Sequence, residues 1–164
     1  MRSCNLNHLE KPNTLLFIDL PNISRSASEL NVRIDFQRLI HNISKNFNLK
    51  GLFIFTNFNH NNKFIEMLYN LGFTIYTVPS KDVDAYMGFK LCELIKKYKP
   101  KVVIIGTHDG DFRGICDELE QSGITVYFIG FKEHFSTFLR CKFCIHLKDL
   151  DTSLRLNAQI LPAI

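Results

Sequence analysis

The chain has 164 residues, 46% of them hydrophobic, which is enough for one globular domain with a sizeable core and too little for two full domains. Its net charge of +4 suits a polyanionic partner but is well short of a dedicated nucleic-acid coat, so charge alone selects no function. No window approaches the roughly 20 consecutive apolar residues of a membrane span, and the opening MRSCNLNHLEKPN lacks the apolar stretch of a secretory signal, so a soluble, cytoplasmic protein with no membrane partner is expected.

After an N-terminal extension at residues 1–13, residues 14–18 (TLLFI) are near-continuous apolar, as a strand covered on both faces must be. The period then changes to about 3.6: Phe36, Leu39, Ile40, Ile43 and Phe47 share one helical face. Residues 52–55 (LFIF) read as the second strand, and Phe64, Ile65, Leu68 and Leu71 as a helix stopped by Gly72. Residues 73–78 (FTIYTV) follow as a strand, then a helical stripe of Met87, Leu91, Leu94, Ile95 and Tyr98. Residues 102–105 (VVII), a helix with Phe112, Ile115, Cys116 and Leu119 ending at Gly123, and residues 124–129 (ITVYFI) complete a βαβαβαβαβ series.

That alternation predicts a three-layer α/β/α domain around a mainly parallel five-stranded sheet. A helical turn near residues 134–139 and an edge strand at 144–147, which would be a sixth strand, bring the domain to residue 150, with 151–164 as a tail. Five cysteines are an odd number to pair, which favours a reduced protein. Cys141 and Cys144 form a C-x-x-C near His134 and His146, but a structural zinc site wants a second pair; the alternation from 141 to 147 reads as an edge strand with small buried thiols. Cys92 and Cys116 fall on helical stripes and read as core.

The acids carry the functional signal. In an open parallel sheet the binding crevice lies beyond the carboxyl ends of the strands. Asp19 follows the first strand, Asp82 and Asp84 the third, and Asp109 and Asp111 the fourth. Carboxylates gathered at one edge repel one another and would hold protons at neutral pH unless a cation neutralised them. Oxygen-only ligands favour Mg²⁺ or Mn²⁺. The plainer role for such residues is helix capping, which Asp82, Asp109 and Asp111 could all serve. Capping does not account for Asp19, because Leu20 and Pro21 do not announce a helix.

Three motifs in order resemble the NYN domains of the PIN-like nuclease superfamily, including the LabA-like group. Phe17-Ile18-Asp19-Leu20-Pro21-Asn22-Ile23 is similar to an opening F-I-D-G-x-N-[LI], Lys81-Asp82-Val83-Asp84 to K-G-V-D, and Thr107-His108-Asp109-Gly110-Asp111-Phe112 to S-G-D-S-D-F; the strand ending Ile129-Gly130-Phe131 fits as well. The resemblance spans roughly residues 14 to 150. It implies a Rossmann-like PIN fold and a metal-dependent ribonuclease that hydrolyses phosphodiesters, with Asp19, Asp84, Asp109 and Asp111 as metal ligands. It further implies that Asn22 orients a ligand or a water on the metal, that Thr107 supports the site, and that Lys81 touches substrate phosphate. RNA as substrate and partner follows from the resemblance alone, and a homodimer is left open.

The chain departs from the pattern at Leu20-Pro21, at Asp82 and at His108, where the family usually carries Gly and an acid, Gly, and Gly. A glycine at 108 would permit close backbone approach, so His108 is expected to narrow the crevice or to contact substrate itself. Arg25, Arg33, Arg113 and Lys132, with Lys81, lie in or near the same loops as candidates to steer phosphate, and Phe58, His60, Tyr86 and Phe131 as candidates to stack bases. The competing expectation is a PIN-like module that binds RNA or protein and turns over poorly. A receiver domain is disfavoured because only Asp19 follows the first strand, and a dinucleotide fold because no G-x-G-x-x-G does.

Overall fold

The computed structural model describes residues 10–57, 60–79, 82–139, 142–148 and 153–155, the last by backbone alone. In chain order the elements are β1 (Asn13–Asp19), α1 (Leu20–Glu29), β2 (Val32–Ile34), α2 (Phe36–Ser44), β3 (Asn48–Thr56), α3 (Asn62–Asn70), β4 (Thr74–Thr77), α4 (Val83–Tyr98), β5 (Val102–Gly106), α5 (Arg113–Gln121), β6 (Thr125–Gly130), β7 (Cys144–His146) and β8 (Ser153–Arg155). Short 3-10 turns occupy Gly110–Phe112, Lys132–His134 and Thr137–Leu139.

Six strands form one sheet in the order β4-β3-β1-β5-β6-β7, and every pairing in it is parallel. The expected edge strand is therefore a sixth strand of the main sheet. Alternation along β1 explains the three layers. Leu16 and Ile18 point into a core with α1, α2 and α3 residues such as Ile23, Leu39 and Leu68. Leu15 and Phe17 point the other way, onto Val83, Met87 and Leu91 of α4 and Cys116 and Leu119 of α5. Both faces of the central strand are dry, which is why its sequence is apolar without a break. Gly72 and Gly123, with φ of 92° and 82°, stop α3 and α5 in the left-handed region that glycine adopts without strain.

Four expectations are corrected. A helix, α1, does begin at Leu20. Pro21 falls in its first turn, where a fixed φ and a missing N–H cost nothing, and Asp19 caps it by accepting from the Asn22 N–H at 3.2 Å. Next, β2 is a new strand that pairs antiparallel with β8, inside the segment read as a tail. Cys92 is exposed, because one position beyond buried Leu91 it turns about 100° away from the core. Finally, Cys144 is disulfide-bonded and is not a free thiol; Cys141, and so the C-x-x-C as a unit, lies outside the described residues. Cys116 is buried as expected. Among the described residues no helix is long and apolar enough to cross a membrane.

Candidate metal centre at the carboxyl edge

The chain passes from β1 out to β3 and β4 on one side, then crosses back to β5 on the other, so strand order reverses at β1. The crevice of a doubly wound sheet opens at such a reversal. Asp19 is the last residue of β1, and residues 107–109 leave the neighbouring β5. Asp84 arrives from the first turn of α4, the helix that makes the crossover.

One oxygen each from Asp84, Asp109 and Asp111 can lie within 4.8 Å of one another. Local bonds aim this set. Thr107, fully buried, accepts the Asp109 N–H on Oγ1 at 3.2 Å, and Asp109 accepts the Asp111 N–H at 3.0 Å. Asp109 is thus both a cap of the Gly110–Phe112 turn and a member of the cluster, so the two readings of this acid are compatible. Asp82 sits at the cap position of α4 but makes no side-chain cap bond.

Asp19 is not one of these three but is close enough to Asp84 and Asp109 to be repelled by them, and it is only 4% exposed. Its pKa is pushed up to about 6, chiefly by burial; the Asn22 N–H opposes the rise, Asp84 and Asp109 add to it, and Arg25 opposes it. A carboxyl that hosts its charge this reluctantly, beside Asp84 and Asp109, suits a divalent cation: hard oxygens, little competition from nitrogen or sulfur, and an excess of negative charge to neutralise. The residues present fit Mg²⁺ or Mn²⁺.

His108 is buried, and both of its ring nitrogens are engaged within the protein. The Phe131 N–H donates to Nε2 at 2.8 Å. An N–H can only donate, so Nε2 is unprotonated and the ring proton sits on Nδ1, where it is donated to Asn22 Oδ1 at 2.8 Å, with Ser26 Oγ at 3.2 Å. The Asn22 Oδ1 also accepts the His108 N–H at 3.0 Å. His108 is held neutral, with its pKa down to about 4, first by burial and then by His134 nearby. The ring therefore bolts together α1, the end of β5 and the end of β6, and the expected narrowing of the crevice is not its visible effect. Asn22, expected to orient a ligand, has its carbonyl oxygen occupied by this bolt.

The remaining candidates fall in different places. Arg113 forms a two-pronged ion pair with Asp117 at 2.7 and 3.0 Å and donates from Nη1 to the Leu139 carbonyl at 3.0 Å. Arg25 is exposed near Asp19 and lines a cleft of about 240 Å³ with Leu20, Pro21, Ser24 and His60. Lys132 is exposed on the turn after β6, and Arg33 on β2 of the small sheet. Lys81 and Phe58 lie outside the described residues. Phe131 is fully buried and unable to stack a base. Tyr86 packs edge-on against Phe55 and Tyr76, each with ring centres 6.2 Å away, and His60 bonds Thr56 at 2.8 Å.

The aromatic the sequence did not reveal is Phe138, 78% exposed on the wall of a cleft of about 550 Å³ with Asp109, Gly110, Asp111, Arg113, Asp117 and Ser136. No local signal separates it from the other fourteen phenylalanines, since its exposure depends on where the turn docks.

No curated protein matches this chain. Among solved structures, a protein of unknown function from Vibrio parahaemolyticus is similar at a TM-score of 0.76 and 17% identity, over 94% of this chain and 100% of that one. At that identity the likeness speaks for the fold, here a parallel sheet between helical layers. A family model described as the NYN domain matches residues 13–146, a span that takes in all four acids and most of the chain. On that match the chain belongs to the NYN domain family, within the PIN-like nuclease superfamily.

Proposed function

We propose that the protein is a Mg²⁺- or Mn²⁺-dependent ribonuclease that hydrolyses phosphodiester bonds of single-stranded RNA. The observation that carries the reading is the meeting of Asp84, from the first turn of α4, with Asp109 and Asp111, from the turn after β5, with Asp19 of β1 electrostatically coupled to Asp84 and Asp109, at the crevice of the sheet. A bound divalent ion supplies two things there: it acidifies a water for attack and neutralises charge developing on the phosphate.

The chain's own residues do the rest. Asp84, Asp109 and Asp111 would hold the ion, and Asp19 would complete its surroundings or accept the proton that the attacking water loses. Thr107 keeps the Asp109 backbone in place through its hydroxyl. The bolt of Asn22 and His108 keeps the ends of β5 and β6 and the start of α1 in register, so that the acids meet with little reorganisation. Arg25 and Lys132, both exposed, are the phosphate-steering cations this reading retains.

The test is incubation of the purified chain with single-stranded RNA and a matched DNA strand, in Mg²⁺, Mn²⁺ or chelator, beside Asp19→Asn and Asp111→Asn. Metal-dependent RNA cleavage that both substitutions abolish is the expected result. Cleavage that survives both would come from a contaminant, and RNA retained without cleavage in either metal would assign a binding module instead.

A further inference from the structure

Phe138 has the most exposed large apolar side chain among the described residues, at 78%. Its turn is not loosely attached. The Ser136 N–H donates to the His108 carbonyl at 3.1 Å and the Phe138 N–H to Ser136 Oγ at 3.2 Å, while Arg113 holds the Leu139 carbonyl at 3.0 Å and the Leu139 side chain is buried. Gly110 lies so close beneath that a Cβ there would meet Ser136 Oγ at 2.8 Å and Phe138 Cβ at 2.9 Å. The ring is thus mounted directly on the segment that carries Asp109 and Asp111.

A rigidly placed ring left in water forgoes the gain of burial, unless a flat apolar partner covers it. The cleft beside it, about 550 Å³, lies within the usual size range of ligand sites. Its charges decide which part of a strand can enter. Asp109, Asp111 and Asp117 face one guanidinium, Arg113, already paired with Asp117. Phosphate is repelled here except where a cation receives it, whereas an uncharged base is not.

We propose that Phe138 is the stacking platform for an unpaired base of the substrate strand, adjoining the phosphate held at the acidic cluster. The proposal rests on the ribonuclease reading. The ring binds and positions the strand and takes no part in the chemical step.

The chain contains no tryptophan, so Phe138→Trp places a single tryptophan at the platform, which red-edge excitation reads apart from the five tyrosines. It is mixed rapidly with oligoadenylate in Mn²⁺ and read before turnover, beside an abasic strand carrying the same phosphates. Quenching by oligoadenylate and none by the abasic strand is expected. Phe138→Ala should raise KM roughly 10-fold or more with kcat little changed, and Phe138→Tyr should restore it.

Equal quenching by both strands, or wild-type KM in Phe138→Ala while the parent chain still cleaves, would overturn the platform and leave the nuclease standing. Absence of both binding and cleavage in the parent chain would remove both. A fall in sedimentation mass on Phe138→Ala, with KM unchanged, would reassign the ring to contact with a second copy.

Discussion

A Cβ on Gly130 would lie 2.5 Å from Nε2 of His108, well inside contact distance, so the imidazole occupies space that only a glycine at 130 leaves free. The backbone of β6 comes in against the ring, and the next N–H, that of Phe131, bonds it. The two residues act as one unit: a side chain at 108 has room because there is none at 130.

Gly130→Ala therefore displaces the ring and breaks its bonds to Phe131 and Asn22 together. Leaving these groups unsatisfied should cost about 2–3 kcal/mol, or roughly 4–12 °C in Tm for a chain of this size. His108→Gly alone should also destabilise, but adding Gly130→Ala to it should cost little more. Thermal melts of the four proteins measure this cycle, and additive losses would show that the contact does not couple the positions.

Asp19 and His108 give stability opposite dependences on pH. The carboxyl of Asp19 titrates near 6 when folded, against 3.8 in the open chain, so its contribution is present below about 4 and lost as pH rises through 6. The ring of His108 titrates near 4 when folded, against 6.5, so its contribution is present above 6.5 and lost as pH falls through 4. Each spans about 3 kcal/mol, and across that window they nearly cancel. In chelator, Asp19→Asn should become less stable on acidification relative to the parent chain, and His108→Gln should show the reverse trend. Parallel profiles for all three would refute the opposition.

Metal binding separates stability from affinity at Asp111. In chelator this exposed acid only adds repulsion to the cluster, so Asp111→Asn should melt at or above the parent temperature. Added Mn²⁺ should raise the parent Tm, because it binds only the folded state, and should raise that of the variant less. An equal Mn²⁺ shift in both would take Asp111 out of the ligand set.

The cations divide by what they already hold. Arg25 and Lys132 are exposed, so removing both should flatten the fall of log K for RNA with log salt by about 1.4, or about 0.7 for each phosphate contact. Arg113 is committed to Asp117 and the Leu139 carbonyl. Arg113→Ala should leave that slope unchanged and weaken binding by loosening the Phe138 turn. A slope that drops with Arg113 and not with the other two would reverse the assignment.

Much of the architecture was legible along the chain. Residues 14–18 are apolar without interruption because β1 is buried on both faces, and Leu39 with Ile43, or Leu91 with Leu94, repeat at helical spacing because each helix covers one face. Asp19, Asp84 and Asp109 could be placed at one edge because a parallel sheet brings all its strand ends to the same side. The start of α1 is not legible locally, because Leu20-Pro21 suggests a break, whereas proline in a first helical turn is favourable. The small pairing of β2 with β8 is invisible to local pattern because residues some 120 positions apart decide it.

What the sequence alone determined is therefore what each segment must do for its own burial: strand or helix, covered on one face or two, with acids where strands end. Tertiary structure decided how separate segments use one another's space. It turned His108 inward because Gly130 leaves room, committed Arg113 to the turn at Leu139, and left Phe138 facing solvent beside Asp111. Periodicity records whether a residue is buried, whereas the identity of its neighbour depends on loop closure over distances no local pattern encodes.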